Sequence, residues 1–170
     1  KVADGIIYHA ATKDELAKVV HDFGVAARKC KLAGCDGVQI HAAHGFLLTT
    51  FLSPHFNKRA DEYGGPIENR SRLLFEIYDS VRNAVGVDYP IALKLSFSDL
   101  VSDSSTPEEM LWVCKELEKK GIDFIEVSSG ISADNSGASC SPVLRNGDRE
   151  GKFLESALLV SDTLEIPVSS

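Results

Sequence analysis

Apolar positions recur along the chain with two alternating periods. Leu16, Val19, Val20, Phe23, Ala26 and Ala27 are spaced as on one face of a helix. Thr12 with Glu15 three residues on opens that helix as a capping box, and Gly34 closes it. Val38-Gln39-Ile40-His41 then reads as a short strand, followed by a long polar segment from about Ala42 to Pro66. Leu73, Leu74, Ile77, Tyr78, Val81 and Val85 mark a second helix over about 68–84, and Pro90-Ile91-Ala92-Leu93-Lys94-Leu95 a second strand. Thr106-Pro107-Glu108-Glu109 starts a third helix with Pro at its first position, and Gly121 ends it. Phe124–Val127 is a third strand, 129–149 a Ser-, Gly- and Asn-rich loop, 151–164 a helix, and Ile166-Pro167-Val168 a fourth strand.

Two segments repeat one another. Gly34-Cys35-Asp36-Gly37-Val38-Gln39-Ile40 and Gly121-Ile122-Asp123-Phe124-Ile125-Glu126-Val127 share the pattern Gly-x-Asp-x-apolar-polar-apolar, each between a helix and a strand. A βα unit used repeatedly builds a parallel α/β sheet with helices outside it. Two closures are open, a doubly wound sheet or a (β/α)8 barrel. No strand is followed by a glycine-rich nucleotide loop, which weighs against the first. A whole barrel needs about 250 residues, and four strands are about half of one. The 170 residues read as a single unit, 1–170, that begins at Lys and not at Met, as a partial chain does.

Composition narrows the function classes. Apolar residues make up 44% and charged residues 25%, enough apolar surface for a packed core. With 18 basic against 25 acidic side chains the net charge is −7, which speaks against nucleic-acid or anionic-membrane partners. No 18-residue apolar run is present, and Lys1-Val2-Ala3-Asp4-Gly5 does not read as a signal peptide. Cys30, Cys35, Cys114 and Cys140 lack CxxC spacing and read as reduced thiols of a cytoplasmic protein, Cys30 and Cys114 as small core residues.

Chemistry concentrates after the first strand, since function in barrels sits at the C-terminal ends of strands. His41 ends that strand and His44 follows three residues later. By spacing alone they are a plain core or surface pair, a shared pocket if the chain turns helical there, or two metal ligands. Only Asp61 and Glu62 stand near enough to serve as a third ligand, so no metal is assigned.

The stretch 34–72 decides among these. It runs from Gly34-Cys35-Asp36-Gly37-Val38-Gln39-Ile40-His41 through Ala43-His44-Gly45-Phe46-Leu47, Phe51-Leu52-Ser53-Pro54, Asn57-Lys58-Arg59 and Asp61-Glu62-Tyr63-Gly64-Gly65 to Glu68-Asn69-Arg70-Ser71-Arg72. This closely resembles the Old Yellow Enzyme family of FMN-dependent NAD(P)H:flavin oxidoreductases. The resemblance implies a partial TIM barrel, with the four strands as the family's fourth to seventh. It implies FMN as cofactor, NAD(P)H as reductant and a small-molecule acceptor: a carbonyl-conjugated alkene, quinone or nitro compound. His41 and His44 match the catalytic pair that hydrogen-bonds the acceptor's oxygen. Lys94 matches the basic residue on the fifth strand beside the flavin; the plainer alternative is a surface lysine, but Lys94 lies inside the apolar strand Ile91–Leu95, where an unpaired charge is costly. Phe46 departs from the pattern, standing where the family has a proton-donating Tyr. Tyr63 is expected to hold the loop, Gly64 and Gly65 to make its turn, and Glu68, Arg70 and Arg72 to pair with the loop's acids. The loop 129–149 would line the substrate mouth, with Cys140 incidental. The glycine-rich phosphate turns of the family fall beyond residue 170, so the alternative reading is a truncated, catalytically inactive barrel fragment.

Overall fold

The computed structural model describes residues 9–131 and 151–170, together with the backbone of 2–3 and 6–7. Cys140 and most of the 129–149 loop lie outside the described residues. Two minimal strands, β1 (Val2–Ala3) and β2 (Ile6–Ile7), pair antiparallel ahead of the first helix. They carry too few residues to show a period and were not legible in the sequence.

Helix α1 spans Lys13–Leu32, and both halves of its capping box form, between Thr12 and Glu15. Strand β3 covers Val38–Ala42, so Ala42 and not His41 ends it. The segment read as polar contains a short helix, α2 (Leu47–Leu52). Its Leu48, Phe51 and Leu52 are buried, three apolar residues at spacings of three and four. The helix expected over 68–84 is two pieces, α3 (Ile67–Arg70) and α4 (Arg72–Val85), with Ser71 between them in helical backbone. Strand β4 (Ile91–Ser96), helix α5 (Pro107–Lys120), strand β5 (Phe124–Ser128), helix α6 (Leu154–Ser161) and strand β6 (Val168–Ser169) complete the order. The repeated glycines Gly34 and Gly121 both take positive φ, +87° and +89°, so each half of the repeat leaves its helix by a left-handed turn.

The sheet order is β3-β4-β5-β6 and every pairing is parallel. Sequential order without reversal is the order of a barrel arc. Right-handed crossovers taken one after another put all helices on one face, as in a barrel arc, whereas a doubly wound sheet reverses its order. Burial agrees with this. Ile40, Ala42, Leu93, Leu95, Ile125 and Val127 are at most 3% exposed and join Leu74, Ile77 and Val113 in the core. The alternate residues Gln39, His41, Lys94 and Glu126 point the other way and keep access to solvent. The four parallel strands among the described residues thus form part of a (β/α)8 barrel.

The loop between α2 and α4 is held by polar contacts. Arg59 bonds Asp61 (Nη2–Oδ2 2.6 Å) and the Ala11 carbonyl at 2.8 Å. Asn57 donates to the carbonyls of Phe51 and Tyr63, both at 2.7 Å, and the Tyr63 hydroxyl donates to Glu76 at 3.0 Å. Arg70 does not pair with the loop's acids. It is buried and reaches Glu109 of α5, the Leu52 carbonyl and Ser105, because its short helix aims it inward under α5. The loop's acids go instead to Arg59 and Lys13, and Arg72 donates to the Glu62 carbonyl. Cys114 is fully buried, but Cys30 is only half-buried.

At Gly64 the loop passes so close to itself that an added Cβ would lie 2.1 Å from the Arg59 carbonyl oxygen. Backbone on one side and a network on the other leave little to yield. Gly64→Ala is expected to cost about 1–3 kcal/mol of stability, measured by urea unfolding. A cost below about 0.5 kcal/mol, the usual range for a neutral surface change, would contradict this account of the turn.

Candidate functional site

The open face of the sheet brings together side chains that lie far apart in sequence. Strand register aligns His41 with Lys94 and Lys94 with Glu126. In-register residues on parallel strands project to the same side, so the three form a row across β3, β4 and β5. Lys94 Nζ lies 2.6 Å from Glu126 Oε1, and each side chain is 28% exposed. Gln39 Nε2 donates to the other carboxylate oxygen at 2.9 Å. Gln39 and Glu126 are the polar position of the two repeats, so the repeated pattern ends in a hydrogen bond between its own copies. Lys94 is therefore neither a surface lysine nor an unpaired charge.

His44 occupies the turn that follows β3. Its φ is +65°, in the left-handed region that a non-glycine residue enters at some cost. Neighbouring strands hold it there. Its backbone N–H donates to Ser96 Oγ at 2.9 Å, its ring Nε2 shares a hydrogen bond of 2.8 Å with Ser128 Oγ, and the residue bridges to Ile131. The turn brings the His41 and His44 rings to 5.4 Å between centroids at an interplanar angle of 72°. Phe46 lies 5.2 Å from His41 and is 56% exposed, an apolar lip beside the two rings.

Both imidazoles titrate below the ordinary histidine range. For each the first cause is burial, which penalises the cation, and the second is the Lys94 ammonium; Glu126 works in the opposite direction on both. His41 adds to the depression at His44, since neighbouring cations repel. The Glu126 carboxyl is held below its usual range, chiefly by its hydrogen bond to Lys94. At neutral pH the face therefore presents two uncharged rings, each carrying a single N–H, beside a compensated ion pair.

The structure brings His41, His44 and Lys94, the three residues singled out in the sequence, to one face. Sequence reasoning passed over Glu126, Gln39, Ser96 and Ser128. A signal existed for the first two, since a polar residue at alternate positions of an otherwise apolar strand faces away from the core. The serines carry no comparable mark. Cys114 takes no part: burial pushes its thiol up to about 12. Among the described residues, no three His, Cys, Asp or Glu side chains gather as metal ligands. No described helix is long and apolar enough to cross a membrane.

Residues 2–143 match the model of the NADH:flavin oxidoreductase / NADH oxidase family. The chain is 43% identical over 119 residues to an NADPH dehydrogenase of Geobacillus thermodenitrificans, covering 70% of this chain and 34% of that protein. A 2-naphthoyl-CoA reductase structure superposes with a TM-score of 0.84 at 32% identity, over 94% of this chain and 24% of that one. An old yellow enzyme homologue from Zymomonas mobilis superposes with a TM-score of 0.72 at 31% identity, over 94% and 42%. The chain spans 18% to 34% of the length of the first curated relatives it matches.

The electrostatic account has a direct check. In Lys94→Met the depressing cation is gone and Glu126 is left unopposed, so the titration midpoints of both His41 and His44 should rise. Imidazole NMR between about pH 5 and pH 8 reads them. Midpoints that stay in place would remove Lys94 from this face's electrostatics.

Proposed function

Because the chain belongs to the NADH:flavin oxidoreductase / NADH oxidase family, we propose that it carries the acceptor-gripping part of an FMN-dependent NAD(P)H oxidoreductase. His41 and His44 hold the acceptor's oxygen, and Lys94 meets the cofactor. The donor set on the open face suits a flavin: an ammonium has three N–H groups, and Glu126 accounts for one hydrogen bond from Lys94. When bound, FMN supplies hydride to an electron-poor acceptor and is recharged by NAD(P)H. The chain's own residues bind and orient. Two neutral N–H donors aimed at one oxygen withdraw electron density from the conjugated system and stabilise the negative charge that collects on that oxygen. Comparable preorganised donors contribute about 3–4 kcal/mol each to lowering a barrier. Ser128 and Ser96 fix His44 by its ring and its backbone, so the donors need not reorganise during the reaction.

Phe46 shapes the choice of acceptor. A phenyl ring has no proton to give, and Phe46 stands beside His41. This favours acceptors whose protons go to oxygen or nitrogen, quinones and nitro compounds, over alkenes that need a proton at carbon. The same residue is what supports the second reading, a catalytically inactive barrel segment. Free Cys30, Cys35 and Cys114 fit a reducing, cytoplasmic setting for the enzyme.

The single observation that carries the reading is the pair of close, uncharged imidazoles beside Lys94 on one open face. In the flavin-loaded enzyme, His41→Ala and His44→Ala should each weaken binding of a simple phenol, seen as loss of its charge-transfer absorption. Each should slow acceptor reduction by about 100-fold or more. Phenol titrations and rates unchanged in both variants would overturn the clamp.

A further inference from the structure

Glu126 is held from two strands at once. One carboxylate oxygen takes the Lys94 ammonium of β4 at 2.6 Å, and the other takes the Gln39 amide of β3 at 2.9 Å. A carboxylate engaged on both oxygens has a fixed position, and so has the flexible lysine bonded to it. The ionisable groups that share this face among the described residues are His41, His44, Lys94 and Glu126. Of these, Glu126 is the counter-charge to Lys94, and Gln39 contributes a hydrogen bond without charge.

We propose that Glu126 is a positioning residue that pins the Lys94 ammonium on the open face and, by compensating its charge, sets how strongly the site favours reduced flavin. The inference rests on the reading above that Lys94 meets the cofactor. Reduction adds negative charge to a flavin. An uncompensated ammonium beside it would pull the equilibrium toward the reduced form, while a carboxylate 2.6 Å from that ammonium cancels much of the pull. The pair is only part exposed, so water does not screen it fully. The same carboxylate opposes Lys94 at both histidines, so one side chain moderates the cofactor's electron affinity and the charge of the acceptor clamp together.

Glu126→Gln tests this, because it removes the charge and keeps an oxygen for Lys94 to bond. In the holoenzyme the flavin midpoint potential should become more positive, favouring the reduced form at least tenfold, about 30 mV for a two-electron couple. In the same variant without cofactor, the NMR titration midpoints of His41 and His44 should fall. Lys94→Met should make the potential more negative, and the Lys94→Met/Glu126→Gln double variant should return it toward the wild-type value. If Lys94→Met shifts the potential and Glu126→Gln does not, Glu126 is merely a structural partner and this inference fails while the role of Lys94 stands. If neither variant moves the potential although both move the histidine titrations, Lys94 does not meet the flavin, and the cofactor reading falls together with the inference.

Discussion

The register of three parallel strands is the constraint on which the rest depends. Side chains alternate along a strand, so the burial of Ile40, Ala42, Leu93, Leu95, Ile125 and Val127 on the helix side dictates what the other side shows. A slip of one residue between β3, β4 and β5 would drive Lys94 and Glu126 into the apolar core and bring leucines to the open face. No partner waits there for either charge, and burying an unpaired ion is among the costliest errors a fold can make. The hydrophobic core thus enforces the polar row, and His41, Lys94 and Glu126 stand abreast because the apolar residues between them must pack.

Upon that row the electrostatics are arranged by distance. Burial and the Lys94 ammonium keep the two imidazoles neutral, and Glu126 prevents the ammonium from dominating the face. The left-handed turn at His44 is the one strained backbone position that the site uses. It is maintained by bonds to Ser96 and Ser128, residues at the ends of β4 and β5, so the same strands that carry the charged pair also hold the second ring. Behind the face, Arg70 ties α2, the 53–66 loop and α5 together from a buried position. Its motif is part of the sequence signature, yet its work is structural: every bond it makes ends on scaffold atoms.

How legible the molecule was depended on how local each signal is. Capping boxes at Thr12 and Thr106, helix-ending glycines and buried strands could be read directly, because each is decided within a few neighbouring residues. The six-residue α2 was hidden in a segment that looked polar on average, since its apolar residues make barely two turns of periodicity. The partner of Arg70 differs from the expected one for another reason. The loop's acids are near in sequence, but the direction of a side chain on a short helix selects Glu109, 39 residues away.

The sequence alone determined the alternation of helix and strand, the repeated βα unit, and the residues able to do chemistry: two imidazoles, a lysine and a phenylalanine in place of an acid. These follow from periodicity, turn chemistry and side-chain type, all of them properties of short stretches. Only the tertiary structure decided that the sheet runs in sequential order with one face open, that Lys94 is paired and not bare, and that Gln39 and Glu126 meet although 87 residues separate them. Those are contacts between distant strands. They are settled by which register buries the most apolar surface, a comparison that exists only once the strands lie side by side.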